Sequence, residues 1–190
     1  ILLLKDRNGL AEKLKAELLK ETENIIEVSE GTEFAKQGEN QFIVTGSEHD
    51  FIKLLEEAGA KKITMVLHMF SASTGFLAEG PEETEKRLKS GVYSIFHLIR
   101  AIAGNGMKNR MNIVAVTRNI ACVTGAEKEI IPENAALTGL LKVISHEHPG
   151  LRCKCIDIGD EQEADCIIKE IKSSSNVVVS AFRQRKRYVE

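Results

Sequence analysis

The segment Lys5-Asp6-Arg7-Asn8-Gly9-Leu10-Ala11-Glu12 follows an apolar run, Ile1-Leu2-Leu3-Leu4, and leads into helical spacing, the setting in which a glycine-rich turn binds phosphate. Such a turn spaces its glycines as Gly-x-Gly-x-x-Gly, for a tight bend, for approach of the backbone to a pyrophosphate and for close helix packing. Here only Gly9 is present. Leu10 and Glu12 fill positions that should be small, and Asp6 sits where an anionic ligand would arrive. The chassis for nucleotide chemistry is there and the chemistry is blank, so Gly9 reads as a helix-entry residue.

Proton transfer to a carbonyl needs a different set. A Tyr and a Lys one helical turn apart would serve, the Lys lowering the Tyr pKa, with a Ser holding the carbonyl oxygen. The chain has two tyrosines. Tyr93 is followed four residues on by His97, and Tyr188 lies two residues from the end, so no Tyr-x-x-x-Lys exists. The helix expected to carry that pair reads Pro132-Glu133-Asn134-Ala135-Ala136-Leu137-Thr138-Gly139-Leu140-Leu141-Lys142 and has no Tyr.

Other candidates have plainer readings. His146 and His148 diverge on a helix and lack a third ligand, and His68, at a strand end, reads as a buried, hydrogen-bonded histidine. Cys153 and Cys155 point to one face of a strand, but no second pair stands at metal-ligand spacing, so these two, Cys122 and Cys166 read as small buried hydrophobes. Glu82, Glu83 and Glu85 suit the start of a helix dipole. The one basic run, Arg183-Gln184-Arg185-Lys186-Arg187, reads as a turn between terminal strands. No catalytic, cofactor-binding or metal-ligating residue is expected in this chain.

Bulk properties narrow the class. The chain has 190 residues, enough for one domain with a full core, and 26 Lys and Arg against 28 Asp and Glu give a net charge of −2. That balance favours neither a nucleic-acid nor a membrane partner. Hydrophobic residues make up 43%, aromatics 5% and Trp is absent, which suits aliphatic strands covered by helices. No apolar run approaches the roughly 20 residues of a bilayer span, and no leader pattern precedes Lys5; the expected compartment is the cytoplasm. A start on Ile1 within a strand suggests a piece of a longer polypeptide.

These residues must be held by alternating strands and helices. Leu2 to Leu4, Ile25 to Val28, Gln41 to Thr45, Ile63 to His68, Met111 to Thr117, Cys153 to Ile158 and Val177 to Val179 read as strands, with an edge hairpin arm from Phe182 to Val189. A loop is expected around Gly31 and Gly38, and another through Ser71, Ser73 and Gly75. Helices are expected over Leu10 to Leu19, from a Ser47-Glu48-His49-Asp50 cap to Gly59, from about Glu82 to Ala103 with Leu88, Val92, Phe96, Ile99 and Ile102 or Ala103 inward, from Pro132 through Ala136, Leu140, Val143 and Ile144, and from about Gln162 to Lys172 with Ile167, Ile168 and Ile171 inward. Helices of this length between strands imply parallel pairing. The expected fold class is α/β: a single doubly wound, mostly parallel, Rossmann-like sheet of about seven strands with helices on both faces, covering residues 1–190. Ligands in such a sheet bind outside the carboxyl ends of the strands, where Asp6, Arg7, Ser29, Gly46, His68, Ser71, Thr117, Arg118 and Asp157 form a polar rim without a catalytic set.

Several segments together carry a resemblance. Leu3-Leu4-Lys5-Asp6-Arg7-Asn8-Gly9-Leu10, Val66-Leu67-His68-Met69, Gly91-Val92-Tyr93-Ser94-Ile95-Phe96-His97-Leu98-Ile99-Arg100-Ala101, Val116-Thr117, the helix from Glu133 to Glu147-His148-Pro149 and the closing Arg187-Tyr188-Val189 resemble, in order, the structural half of ketoreductase domains in modular polyketide synthases. The resemblance implies a degenerate short-chain dehydrogenase/reductase fold, the first of two tandem subdomains. In that family the first subdomain has lost cofactor binding and supports the second, which holds NADPH and the catalytic Tyr, Ser and Lys. No site residue carries over onto this chain. The parent reaction implied is NADPH-dependent reduction of a β-ketoacyl group tethered to an acyl carrier protein, in polyketide biosynthesis. The partners implied are the catalytic ketoreductase subdomain of the same polypeptide and that carrier protein. Fused reductase dimers pair through equivalent helices, which points to Val92 to Ile99 and Asn134 to His146 as the contact. Two other readings stand beside this one: an independent Rossmann-like reductase or transferase with an atypical phosphate loop at Asp6 to Gly9, and a protein-interaction module.

Overall fold

The computed structural model describes residues 1–59, 62–73, 80–106, 110–127, 129–159 and 164–190. The order of elements is β1 (Leu2–Leu4), α1 (Leu10–Leu18), β2 (Ile26–Glu30), β3 (Ala35–Gly38), β4 (Gln41–Val44), α2 (Glu48–Ala58) and β5 (Met65–His68). A 3-10 turn (Phe70–Ser73), α3 (Pro81–Leu88), one π-helical turn (Lys89–Tyr93) and α4 (Ser94–Gly104) then lead to β6 (Met111–Arg118). A second 3-10 turn (Pro132–Asn134), α5 (Ala136–Glu147), β7 (Leu151–Ile158), α6 (Ala164–Lys172), β8 (Val179–Arg183) and β9 (Lys186–Val189) follow. No helix among the described residues is long and apolar enough to cross a membrane.

All strands join one sheet in the order β3-β4-β2-β1-β5-β6-β7-β8-β9. It is α/β and doubly wound, and every pairing is parallel except those of the edge strands β3 and β9. The sheet has nine strands rather than about seven. The missed strand is β3, where Ala35-Lys36-Gln37-Gly38 has no apolar alternation and its register against β4 breaks between Lys36 and Gly38. Such a strand exists because β4 offers it backbone partners, and side-chain pattern does not reveal it. Strand order reverses between β1 and β5, which sets the crevice at their carboxyl ends.

Alternation along the strands builds two cores. Leu2, Leu4, Ile113, Ala115, Cys153 and Cys155 meet Phe51 and Leu54 of α2, Leu98 of α4 and Leu137 of α5. Leu3, Val114, Val116 and Ile156 point the other way, onto Leu10 and Leu14 of α1 and Ile167 of α6. α2 starts and stops as its sequence dictates. Ser47 Oγ accepts the Asp50 N–H at 3.2 Å, and Gly59, at φ 71°, closes the helix in a conformation that costs glycine little.

Three expectations need correction. The helix expected from Glu82 to Ala103 is interrupted by the π turn, and its buried face is Ile95, Leu98, Ile99, Ala101 and Ile102, while Phe96 is 46% exposed. Leu88, Val92 and Phe96 are a strict i+4 series, which drifts about 40° around the axis at each step, so that Val92 still packs against the core and Phe96 has left it. In α5 the buried residues are Leu137, Leu141 and Ile144, with Ala136 and Val143 outside. The preceding Pro132–Asn134 turn is 3-10, with about three residues per turn, so the regular phase of α5 starts after it. β8 runs Val179–Arg183 rather than over Val177 to Val179, and Cys122 is exposed. The other three cysteines are buried, and burial pushes the Cys155 thiol up to about 12. The expected loop position Gly75 and helix start Gln162 lie outside the described residues.

Candidate functional site

The crevice at the strand switch is where this architecture would hold a ligand. Gly9, at φ 85°, turns the chain from β1 into α1 and provides no capping side chain. The cap comes from Asp6. Its carboxylate accepts the N–H groups of Asn8 at 2.9 Å, Leu10 at 3.1 Å and Ala11 at 2.6 Å, and the residue is 8% exposed. Free N–H groups and the positive end of the helix dipole make such a terminus an anion seat. Here the chain's own carboxylate fills it.

A second element of a dinucleotide site was missed from sequence. Dinucleotide-binding folds place an acid about 20 residues past the glycine turn to receive ribose hydroxyls. Glu30, the last residue of β2, occupies that place. Arg7 Nη2 donates to it at 2.9 Å and Ser90 Oγ at 2.5 Å, so both of its oxygens are engaged. The spacing from Gly9 was the available signal.

The rest of the rim is similarly occupied. His68 is fully buried, its Nε2 is 3.0 Å from Ser94 Oγ, and burial pushes its pKa down to about 3, so the imidazole is neutral and out of solvent. Ser71 Oγ donates to the Val116 carbonyl at 3.0 Å, and the Gly46 carbonyl accepts from His97 Nδ1 at 2.9 Å. Thr117 Oγ1 and the Ile120 N–H donate to Asp157 Oδ1 at 3.0 and 3.1 Å, and Arg183 Nη2 reaches Asp157 Oδ2 at 2.6 Å. Burial pushes the Asp157 carboxyl above its ordinary range despite this guanidinium. Ser29, in β2, and Arg118, the last residue of β6, are half-buried.

Arg183 also donates through Nε to Glu127 Oε1 at 3.0 Å. Glu127 in turn accepts the N–H groups of Val123, Thr124 and Gly125, a concave run of donors of the kind that cradles anions. Burial opposes its charge, yet the Thr124 and Val123 N–H groups hold the carboxyl well below its ordinary range. Neither Glu127 nor the buried role of Arg183 was expected, because the pattern that pairs them spans 56 residues.

The remaining candidates stay apart. His146 is exposed on α5 and His148 caps its end, and no group of three or more His, Cys, Asp or Glu able to hold a metal occurs among the described residues. The basic run turns the β8–β9 hairpin through Gln184 and Arg185, both at positive φ, and its other arginines pair with acids: Arg185 with Asp165 at 3.0 Å and Arg187 with Glu170 at 2.6 Å. The exposed large hydrophobics among the described residues are Leu19, Tyr93, Phe96, Val143 and Val189; of these Tyr93 at 38%, Phe96 at 46% and Val143 at 50% stand on the π turn, α4 and α5, in the two segments expected to form a contact, and Leu140 of α5 is half-buried.

The sequence profile described as beta-ketoacyl synthase-like, N-terminal, matches residues 1–174. Among curated protein sequences, none matches this chain. Solved structures of similar fold include the adenylation, ketoreductase and pseudo-Asub multidomain structure of a keto acid-selecting NRPS module, at TM-score 0.90 and 22% identity over 99% of this chain and 16% of that one. An N-terminal ketoreductase from the macrolactin assembly line follows at TM-score 0.80 and 20% identity, over 100% of this chain and 39% of that one. A short-chain dehydrogenase/reductase-family oxidoreductase from Brucella ovis, in complex with a partially ordered NAD, superposes at TM-score 0.67 and 14% identity over 95% and 96% of the two chains. The chain thus spans well under half the length of the two ketoreductase-containing structures and nearly all of a reductase subunit.

Proposed function

The chain belongs to the beta-ketoacyl synthase-like, N-terminal family, and we propose that residues 1–190 are a single structural subdomain that supports the catalytic half of an NADPH-dependent β-ketoacyl reductase in a polyketide synthase. The observation that carries this reading is the crevice: the anion seat on α1 holds Asp6, and the acid at the ribose position, Glu30, is held by Arg7 and Ser90. A nicotinamide dinucleotide does not fit these residues. Its pyrophosphate would displace a carboxylate bonded to three N–H groups, and its ribose would have to break an ion pair. Reduction therefore belongs to the other half of the enzyme, which would hold NADPH and receive the acyl group from its carrier protein.

The contribution of this chain is mechanical. The exposed Tyr93, Phe96 and Val143 supply an apolar face, and its burial against the catalytic half would hold that half's active-site helices in place. The ketoreductase structures of similar fold contain more than twice this length of chain, which leaves room for such a half.

Titration of this chain with NADPH, NADH and S-adenosylmethionine tests the reading. No saturable binding up to millimolar ligand is expected; micromolar binding of any of them overturns it and favours an independent nucleotide-dependent enzyme.

A further inference from the structure

α3 is attached to the molecule differently from the other helices. α1, α2, α4, α5 and α6 each bury several apolar side chains, whereas the single buried residue of α3 is Arg87. Its guanidinium, 6% exposed, lies 3.6 Å from Glu133 on the turn before α5. The pairs Lys86–Glu83 and Lys89–Glu85 are exposed and join neighbouring turns of the same helical stretch, so they stiffen it without tethering it.

Both ends of α3 have hinge character. Gly80 precedes it at φ 141° and ψ 177° and gives no side-chain cap. The π turn follows it, a backbone form that is rare and less stable than the α-helix and is often found where a helix bends. Within that turn Gly91 lies so close to Asn134 that an added Cβ would fall 2.7 Å from Asn134 Oδ1. Below it, Asn134 is fully buried and donates through Nδ2 to the Ser71 carbonyl, while Asn134 Oδ1 and Glu133 Oε2 have no hydrogen-bond partner among the described residues.

The geometry points to α3 being a hinged flap over the carboxyl end of the sheet. It is latched by Arg87–Glu133, with a second tie from Ser90 to Glu30, and it opens between Gly80 and Gly91 while the sheet and α4 stay folded. The free energy of local opening tracks buried apolar contact, and α3 has little. Opening uncovers Glu133 and Asn134, two buried acceptors that otherwise lie under the π turn. α4 is the internal contrast: Ile95, Leu98, Ile99 and Ile102 hold it in the core. The flap is independent of the catalytic partnership proposed above.

Amide hydrogen exchange on this chain decides this, in wild type and in Glu133→Gln. Amides of residues 83–90 should exchange about 100-fold faster than those of 98–102 in wild type, and Glu133→Gln should raise the rate in α3 about tenfold while leaving α4 unchanged. Because the variant could lose its fold, wild type is also measured across sub-denaturing urea. A flap gives α3 exchange that is insensitive to urea beside α4 exchange that rises steeply. Equal rates in the two helices, or urea slopes that coincide, overturn the proposal.

Discussion

The crevice at the carboxyl ends of β1, β2 and β5 and the outer face of α4 and α5 are opposites. In the crevice, where this fold places ligands, Asp6 fills the α1 terminus and Glu30 is held between Arg7 and Ser90, and farther along the sheet, beyond β6, Glu127 fills a loop of N–H groups beside Arg183. On the helical face, where a monomer would show polar groups, Tyr93, Phe96 and Val143 are left in solvent. One region has its bonding capacity consumed internally, and the other has apolar surface to spare. The difference teaches that this chain's unspent interaction energy points outward from its helices and not into its sheet.

The comparison can be broken most severely at Arg183. Its side chain is 7% exposed and bonds the buried carboxylate of Asp157 at 2.6 Å. Arg183→Met leaves that carboxylate buried and unpaired, which costs about 3–5 kcal/mol in chemical denaturation, and Asp157→Asn in the same chain should recover a large part of it. Gly91→Ala comes next. The added Cβ meets Asn134 Oδ1 at 2.7 Å inside a packed turn, and overpacking of this kind costs about 1–3 kcal/mol, read from the same denaturation midpoint. Asp6→Ala should cost about 0.5–2 kcal/mol as a lost cap. It also empties the anion seat, so weak phosphate binding in this variant and none in wild type sharpens the claim that the seat is self-filled.

The smallest effect is on pH dependence. Glu170 is held below its ordinary value of 4.5 chiefly by the Arg187 guanidinium, so it favours the folded state above that pH and the contribution is lost as pH falls through its lowered value. Asp157 has the opposite sign: burial raises its pKa, so its contribution is full below the ordinary value of 3.8 and is lost as pH rises. Glu170→Gln should therefore flatten the acid limb of the stability curve, measured from pH 5 downward, and a curve of unchanged slope contradicts the pairing.

The regular parts of this fold are legible because they repeat a rule. Aliphatic runs alternate with helices of ten or so residues, which gives the parallel sheet, while the strand order that sets its switch point comes from the structure. Asp6 is legible too, since an acid in a phosphate turn has one obvious donor set to bind. What escapes is non-local or irregular. The π turn, the drift that carries Phe96 outward and the 3-10 entry to α5 alter helical phase, which periodicity assumes constant. Glu127 and Arg183 come together only after residues 56 apart are folded side by side. On α5 the exposed large hydrophobic is Val143, which the run of apolar residues did not separate from the buried Ile144 beside it.

The central claim is that Phe96 and its neighbours serve a partner and not this chain's own core. It is tested most directly by Phe96→Asp, with thermal unfolding followed in this chain alone and in the full-length polypeptide. A side chain 46% exposed should change the stability of the chain alone by no more than about 0.5 kcal/mol. In a full-length polypeptide that carries the proposed catalytic half, the same substitution should lower the unfolding temperature by several degrees and abolish the ketone reduction proposed for that half. Equal, small effects in both settings would contradict the account.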